Sequence, residues 1–262
     1  MSRRPRPRAL SDEDLTQVLA LMKGSDTVEL KVTVPEAEHR ATILALDMDA
    51  LDAQIRQVFF FDTPDLALQA AGVAVRARRV QGKRADTVVK LRPVVPDEVP
   101  EDLRRSPTFG IEVDMMPGGF VCSGSLKGVS TNEEVRGAVR GEGTIRKLFS
   151  KEQRDLYRER APEGLGLDDL SILGPLFVLK VRWFPAELNR KIVAELWFYP
   201  DGTRILELST KCLPGEAFQV AVEARAFLRG HGVAPSGTQQ TKTKKALTFF
   251  AKELQAASAG GG

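Results

Sequence analysis

The segment VELKV at positions 28–32 sets the pattern that decides the fold. Successive side chains of a strand point to opposite faces, so Glu29 and Lys31 share one face. Val28, Leu30 and Val32 share the other face. The segment therefore predicts a strand with one apolar face and one charged face. The same alternation recurs in QVFFF, VAVRARRV, TVVKLRPV, FGIEVDM, LFVLKVRWF, IVAELWFY and RILELSTK.

Most charged residues of these segments fall on one parity. They are Arg76, Arg78, Lys90, Arg92, Glu112, Asp114, Lys180, Arg182, Glu195 and Glu207. Helical segments between the strands need an apolar surface to pack on, and the apolar face of a rolled sheet provides one. Since eight strands are enough to close a barrel, we predict an α+β fold. Its core is an eight-stranded antiparallel closed β-barrel with helices packed outside and the charged face lining a tunnel.

An open antiparallel sheet, with its charged face in solvent as in a scaffold protein, is the alternative. The charge pattern argues for the tunnel. Like charges occur as i, i+2 pairs on several strands and would repel one another unless an anion or a carboxylate lies opposite. A tunnel with many cations and fewer carboxylates suits a polyanion with a divalent cation, and a triphosphate fits that description better than a sugar does.

Composition excludes several other classes of protein. The 262 residues carry 38 basic and 35 acidic side chains, a net charge of +3 that does not indicate nucleic-acid binding. No segment approaches the roughly 20 apolar residues of a membrane helix, and the first ten residues lack the apolar core of a secretory signal. Two cysteines and two histidines exclude a disulfide scaffold and a His-rich metal site. We expect a cytoplasmic protein whose metal, if any, binds carboxylates.

The chain is predicted to form a single domain over residues 11–255. Residues 1–10, with arginines around prolines, and residues 256–262, AASAGGG, are expected to be disordered tails. A helical insertion is predicted at about 132–170, where Ser150 and Gln153 form a capping box. Lys242, Lys244 and Lys245 open the last helix, where positive charge is unfavourable, so either a nearby anion or carboxylate relieves it or the three lysines face solvent.

These segments resemble a known family. VELKV resembles the Glu-x-Glu-x-Lys opening of the CYTH domain, the group of triphosphate tunnel metalloenzymes that includes class IV adenylyl cyclases and thiamine triphosphatases. FFFDTPDLALQAAGVAVRARR and TVVKLRPV are similar to its second to fourth strands, and LFVLKVRW and RILELSTK to its later strands. The resemblance covers about residues 25–250.

The resemblance implies a tunnel that binds a triphosphate through basic side chains and holds Mg²⁺ or Mn²⁺ on carboxylates. The implied phosphate-binding residues are Lys31, Arg76, Arg78, Lys90, Arg92, Lys180 and Arg182. The implied metal ligands are Glu29, Glu195 and Glu207, with Glu29 and Lys31 as the catalytic residues. The expected partner is tripolyphosphate, a nucleoside triphosphate or thiamine triphosphate, with no specific nucleic acid and no membrane.

Departures from the family pattern keep three functions open. Thr27 stands where the opening motif has its first glutamate, and Ile205 and Ser209 flank Glu207 on its face. Fewer carboxylates weaken a two-metal site, although Glu112 and Asp114, on the same parity, can act as ligands or form salt bridges. We hypothesise a metal-dependent triphosphatase. The alternatives are a non-catalytic polyphosphate or nucleotide sensor and a class IV-type adenylyl cyclase, although the cyclase branch's His-Phe pair is absent.

Overall fold

The computed structural model describes residues 11–233 and 242–259. Its strands are β1 (Thr27–Val34), β2 (Gln54–Asp62), β3 (Val73–Val80), β4 (Ala85–Leu91), β5 (Phe109–Met116), β6 (Gly119–Ser130), β7 (Ser171–Trp183), β8 (Ile192–Phe198) and β9 (Arg204–Cys212). Its helices are α1 (Asp12–Lys23), α2 (His39–Ala45), α3 (Ala67–Ala70), α4 (Glu101–Arg105), α5 (Asn132–Val139), α6 (Lys151–Arg160), α7 (Ala217–Gly230) and α8 (Lys242–Ala259). None of the helices in these ranges combines the length and the apolar composition of a membrane-spanning segment.

The strands form a closed barrel in the order β1-β5-β6-β4-β3-β2-β7-β8-β9, and β9 pairs back onto β1. Neighbours are antiparallel except β1 and β5, which run parallel. The α+β barrel with outer helices is therefore confirmed. The prediction of eight antiparallel strands is wrong in the strand number and in the direction of this one pair. The open sheet is also wrong, since the barrel has no free edge.

β6 is the strand that the alternation pattern does not reveal. Its sequence GFVCSGSLKGVS is rich in glycine and serine, and glycine is depleted in strands. Bulky groups pack directly over these small residues. A Cβ at Gly124 would lie 2.7 Å from the Phe109 ring, and one at Gly128 would lie 2.3 Å from Gln153 Oε1. Close approach of neighbouring side chains thus explains the composition of this strand.

The apolar parity of the strands faces outward, beneath the helices. One cluster of buried hydrophobic residues lies under α3, α5 and α6, a second under α2 and α7, and a third under α1 and α7. Val75, Val89 and Leu126 in the first cluster are at most 1% exposed. Since strand side chains alternate, the charged parity faces the interior of the barrel.

Gln153 fastens the helical insertion to the barrel. At the start of α6, Ser150 Oγ accepts a hydrogen bond from the Gln153 N–H at 3.2 Å, and Gln153 Oε1 accepts one from the Ser150 N–H at 3.1 Å. The same buried amide also accepts from the Thr87 hydroxyl at 2.9 Å and donates to the Leu126 carbonyl at 3.0 Å. Because buried polar groups need partners, this network fixes α6 against β4 and β6.

α8 closes one end of the barrel with apolar side chains. Its Leu247 and Phe250 belong to the same buried cluster as Val58, Leu176 and Trp197, whose parity places them on the inner face. The tunnel is apolar at this end and charged along the remainder.

The two predicted tails fall largely outside the described residues. This holds for residues 1–10 and for 260–262. α8 continues to Ala259, four residues into the stretch predicted to be a tail.

Candidate functional site

The barrel interior collects the basic residues that the sequence singles out. The strands that carry them are β1 for Lys31, β3 for Arg76 and Arg78, β4 for Lys90, and β7 for Lys180 and Arg182. Arg92 directly follows the last residue of β4. Strand pairing brings inward residues together, with Arg78 opposite Asp86 and Lys180 opposite Glu195. Arg182 is exposed and the other basic residues are partly buried. The row of cations therefore extends from solvent into the tunnel.

Three carboxylates form what we call the acidic cluster, namely Glu29, Glu112 and Asp114. One oxygen of each lies within 4.8 Å of the others. The parallel pairing of β1 and β5 is responsible, because it places Glu29 opposite Asp114 and Thr27 opposite Glu112. Asp114 is 1% exposed. Carboxylate oxygens at this spacing are the donors that Mg²⁺ and Mn²⁺ prefer.

Thr27 takes part in this arrangement through its hydroxyl, which donates to Glu112 Oε2 at 3.4 Å. Thr27 is neutral where the CYTH opening motif has its first glutamate, but strand β5 places the carboxylate of Glu112 beside it. Lys211 forms an ion pair with Glu112 and lies 4.0 Å from Glu29 Oε2. The sequence left Glu112 and Asp114 open between metal ligation and salt bridges. The structure shows the salt bridges and also places both residues beside Glu29.

Asp114 is surrounded by positive charge. Lys31 Nζ lies 2.7 Å from its Oδ1, Arg92 forms an ion pair with its Oδ2, and Lys90 Nζ lies 4.0 Å away. Burial favours the protonated form, but the charges of Lys31, Lys90 and Arg92 outweigh it and lower the pKa of Asp114. Burial likewise opposes the charge on Lys31, but Glu29 and Asp114 outweigh it and raise the pKa of that ammonium. Lys31 and Asp114 are therefore both charged at neutral pH.

Glu195 and Glu207 form a separate group, which we call the glutamate pair. They lie directly opposite each other on β8 and β9. Lys180 Nζ lies 2.7 Å from Glu195 Oε1, while Lys242 Nζ lies 2.6 Å from Glu195 Oε2 and 2.7 Å from Glu207 Oε1. The three predicted metal ligands therefore lie in two separate groups of the tunnel. Glu29 belongs to the acidic cluster, and the glutamate pair holds lysines.

Arg76 is an inner cation without a counter-ion. No carboxylate of the described residues lies within ion-pair distance of it, and its Nε is buried without a hydrogen-bond partner. Burial, followed by the charge of Arg78, lowers the pKa of the Arg76 guanidinium. Arg78 itself is paired with Asp86, at 2.8 Å. A buried nitrogen of a cation that lacks a hydrogen-bond partner is costly, so this part of the tunnel favours a bound anion.

Sequence reasoning did not assign Arg56 or Lys242 to the tunnel. Arg56 is 7% exposed, and its Nη1 lies 4.0 Å from Glu195 Oε1. Three consecutive phenylalanines conceal the alternation of β2, although the spacing of Arg56, Val58 and Phe60 is the signal for it. Lys242 comes from a helix, where strand parity gives no information. Its unfavourable place at a helix start was the signal that an anion lies nearby.

The two tryptophans lie on opposite faces of the barrel wall. Trp197 faces the tunnel, where its Nε1 donates to Glu195 Oε2 at 3.3 Å and Lys242 Nζ lies 5.0 Å from the ring centroid. Trp183 packs against the outer cluster under α2 and α7.

Solved structures share this barrel, whereas no family model and no curated protein matches the chain. A putative adenylate cyclase from Bacillus halodurans has a TM-score of 0.59 at 14% sequence identity, covering 84% of this chain and 97% of that one. The putative adenylyl cyclase HpAC1 from Hippeastrum, described as having a dominant triphosphatase activity, has a TM-score of 0.59 at 16% identity, covering 84% and 93%. The chain has the fold of these proteins.

The shared tunnel-barrel fold confirms the resemblance that the strand motifs indicate. Identities of 14% and 16% establish a common fold. The chemistry of this tunnel barrel depends on the residues inside it.

Proposed function

We propose that this protein binds a triphosphate-containing compound in its tunnel and hydrolyses it with one divalent metal ion, Mg²⁺ or Mn²⁺. The candidate substrates are tripolyphosphate, a nucleoside triphosphate and thiamine triphosphate. The observation that carries the proposal is Arg76, a partly buried cation whose buried Nε has no hydrogen-bond partner among the described residues, in a tunnel where basic side chains outnumber carboxylates. The triphosphatase activity described for HpAC1, a protein of the same fold, supports this reaction class.

The basic residues lie on several strands around the tunnel, which suits an extended anion. Arg76 and Arg78 come from β3, Lys90 from β4 and Lys180 from β7. Guanidinium and ammonium groups donate charge-assisted hydrogen bonds to nonbridging phosphate oxygens, and arginine can do so with two parallel bonds. A bound polyanion would also relieve the repulsion among these cations, because it places negative charge between them.

The acidic cluster fits a divalent metal by the chemistry of its donors. Glu29, Glu112 and Asp114 would hold the ion through hard carboxylate oxygens. When bound, the ion polarises a phosphoryl oxygen and offsets the charge that develops there. Lys31 Nζ lies 2.9 Å from Glu29 Oε2 and 2.7 Å from Asp114 Oδ1. This ammonium keeps both carboxylates ionised and thus able to bind a cation.

In the proposed reaction, the oxygen of a water molecule forms a bond to the terminal phosphorus and the anhydride P–O bond breaks. The bridging oxygen keeps the electron pair, so tripolyphosphate gives orthophosphate and diphosphate. Glu29 accepts a hydrogen bond from the attacking water, takes up the proton that this water loses, and releases it to solvent. Lys31, together with the tunnel arginines, offsets the charge on the nonbridging oxygens.

A non-catalytic polyphosphate or nucleotide sensor is the second candidate. Thr27 stands in place of a carboxylate, and Ser209 flanks Glu207 on the inner face. Lysines also occupy both acidic groups of the tunnel. A class IV-type adenylyl cyclase is the third candidate, since both related structures are described as putative adenylate cyclases.

Product analysis separates the three candidates. The purified protein is incubated with tripolyphosphate, ATP or thiamine triphosphate in the presence of Mg²⁺ or Mn²⁺. Release of orthophosphate supports the triphosphatase, and diphosphate with cyclic AMP supports the cyclase. Binding without turnover supports the sensor, in which case the variant carrying Thr27→Glu and Ser209→Glu is expected to gain activity. Absence of binding and turnover for all three compounds contradicts the proposal.

A further inference from the structure

A cation that belongs to the chain itself occupies the glutamate pair. Lys242 Nζ bridges the two carboxylates at 2.6 Å and 2.7 Å, and its side chain is 15% exposed. The residue is fixed from both sides, because its ammonium lies over the Trp197 ring and its carbonyl accepts a hydrogen bond from the Tyr199 hydroxyl at 3.1 Å.

Electrostatics explain why a cation is needed at this place. Two carboxylates directly opposite each other on neighbouring strands repel, and burial strengthens the repulsion. Burial opposes ionisation of Glu195, but the charges of Lys242 and Lys180 outweigh it and hold the pKa of Glu195 well below its ordinary value. Burial also disfavours the charged form of Lys242, but Glu195 and Glu207 outweigh it and raise the pKa of the ammonium. Glu195 and Lys242 are therefore both charged at neutral pH.

The position of Lys242 in α8 indicates that its ammonium serves the glutamate pair and not the helix. It is the first residue of α8, where positive charge opposes the helix dipole. The helix gains nothing from a lysine there. Lys245, one turn further on, contacts the Tyr199 ring and the Thr203 hydroxyl and has no ion pair with a carboxylate of the described residues.

We propose that the ammonium of Lys242 takes the place of a divalent ion between Glu195 and Glu207, so that the protein binds its metal at the acidic cluster alone. Removal of the ammonium then converts the glutamate pair into a second metal site. The inference rests on the proposed function only in assigning the first metal to the acidic cluster. Lys242 Nζ occupies the space between the two carboxylates of the glutamate pair, and a tethered cation does not dissociate. Lys31 bridges Glu29 and Asp114 in a similar way, but the acidic cluster has a third carboxylate, Glu112, with which to bind a metal ion.

Counting bound Mn²⁺ tests this inference without any substrate. Free Mn²⁺ is followed by its electron paramagnetic resonance signal while the ion is titrated into the full-length protein. Lys242→Met, which keeps the aliphatic stem beside Trp197, is expected to bind one more equivalent of Mn²⁺ than the unmodified protein. Adding Glu207→Gln to this variant is expected to abolish the gain. The matched controls are Lys242→Arg, which keeps the cation, and Lys245→Met, and neither is expected to gain a site.

A folded Lys242→Met protein with an unchanged Mn²⁺ count overturns the proposal, as does a gain that persists with Glu207→Gln. If circular dichroism shows that Lys242→Met does not fold, Lys242→Gln replaces it, because its neutral amide can still donate hydrogen bonds to both glutamates. Failure of the proposed hydrolysis is recognised separately. In that case the unmodified protein releases no orthophosphate, whereas Lys242→Met still binds one more Mn²⁺ than the unmodified protein.

Discussion

Lys31 of β1 lies 2.7 Å from Asp114 of β5, a contact made possible by the parallel pairing of the two strands. Asp114 is the shared partner of Lys31, Arg92 and Lys90. Its carboxylate therefore neutralises cations that would otherwise be buried together. Loss of one partner from such a buried network leaves uncompensated charge.

Asp114→Ala is expected to lower the free energy of unfolding by about 3–5 kcal/mol, since it leaves buried cations without a partner. Urea denaturation at neutral pH measures the change. The control is Glu101→Ala, which removes an ion pair whose side chains are 73% and 77% exposed. This variant is expected to lose at most about 0.5 kcal/mol. Equal losses for the two variants would contradict the importance of the buried network.

Arg76→Ala is expected to weaken tripolyphosphate binding by about 10- to 100-fold, the value of a charge-assisted hydrogen bond. Its free energy of unfolding is expected to stay the same or to rise, because the buried Nε of the guanidinium has no hydrogen-bond partner among the described residues. Calorimetric titration and urea denaturation measure the two quantities. The control is Arg79→Ala on the opposite face of the same strand, where Arg79 contacts Gln57. Unchanged affinity in Arg76→Ala would argue against an anion site.

Glu29→Gln is expected to abolish the Mn²⁺ binding of the unmodified protein, because it removes one carboxylate of the acidic cluster. Glu195→Gln, in the glutamate pair, is expected to leave that binding intact. Electron paramagnetic resonance of free Mn²⁺ gives both counts. Loss of Mn²⁺ in Glu195→Gln with retention in Glu29→Gln would place the metal at the glutamate pair instead.

Tripolyphosphate affinity is expected to fall as the pH rises from 7 to 9.5. Burial is the main cause that lowers the pKa of Lys90 and of Lys180 to about 8, so both ammonium groups lose their charge in this range. In the unfolded chain lysine keeps its proton to about pH 10.4. Between these values the native state binds fewer protons than the unfolded state, so the contribution of both groups to stability increases with pH. Phosphate binding changes in the opposite direction, because it needs the charged form.

Lys180→Arg provides the control for this pH dependence, because arginine stays protonated throughout the range. Its affinity is expected to fall less steeply than that of the unmodified protein. The ionisation of tripolyphosphate is the same for both proteins, so the comparison isolates Lys180. Calorimetric titrations at several pH values measure the two slopes, and parallel slopes would contradict the assignment.

The sequence predicted the charged inner face well because parity is a local property. Once Glu29 and Lys31 lie on one face of a strand, the geometry of the strand fixes the faces of their neighbours. Strand β6 could not be recognised in this way. Its glycines are dictated by Phe109 and Gln153, which reach it only in the folded chain.

Alternation along single strands determined that the strands have one apolar face and one largely charged face, because side-chain direction depends only on the local backbone. Closure of the barrel then placed the charged face inside. The tertiary structure alone decided which charges meet. The parallel pairing of β1 with β5 brings Asp114 to Glu29, and α8 brings Lys242 between Glu195 and Glu207. These contacts join segments far apart in the chain, and no local pattern encodes which distant strands or helices pack together.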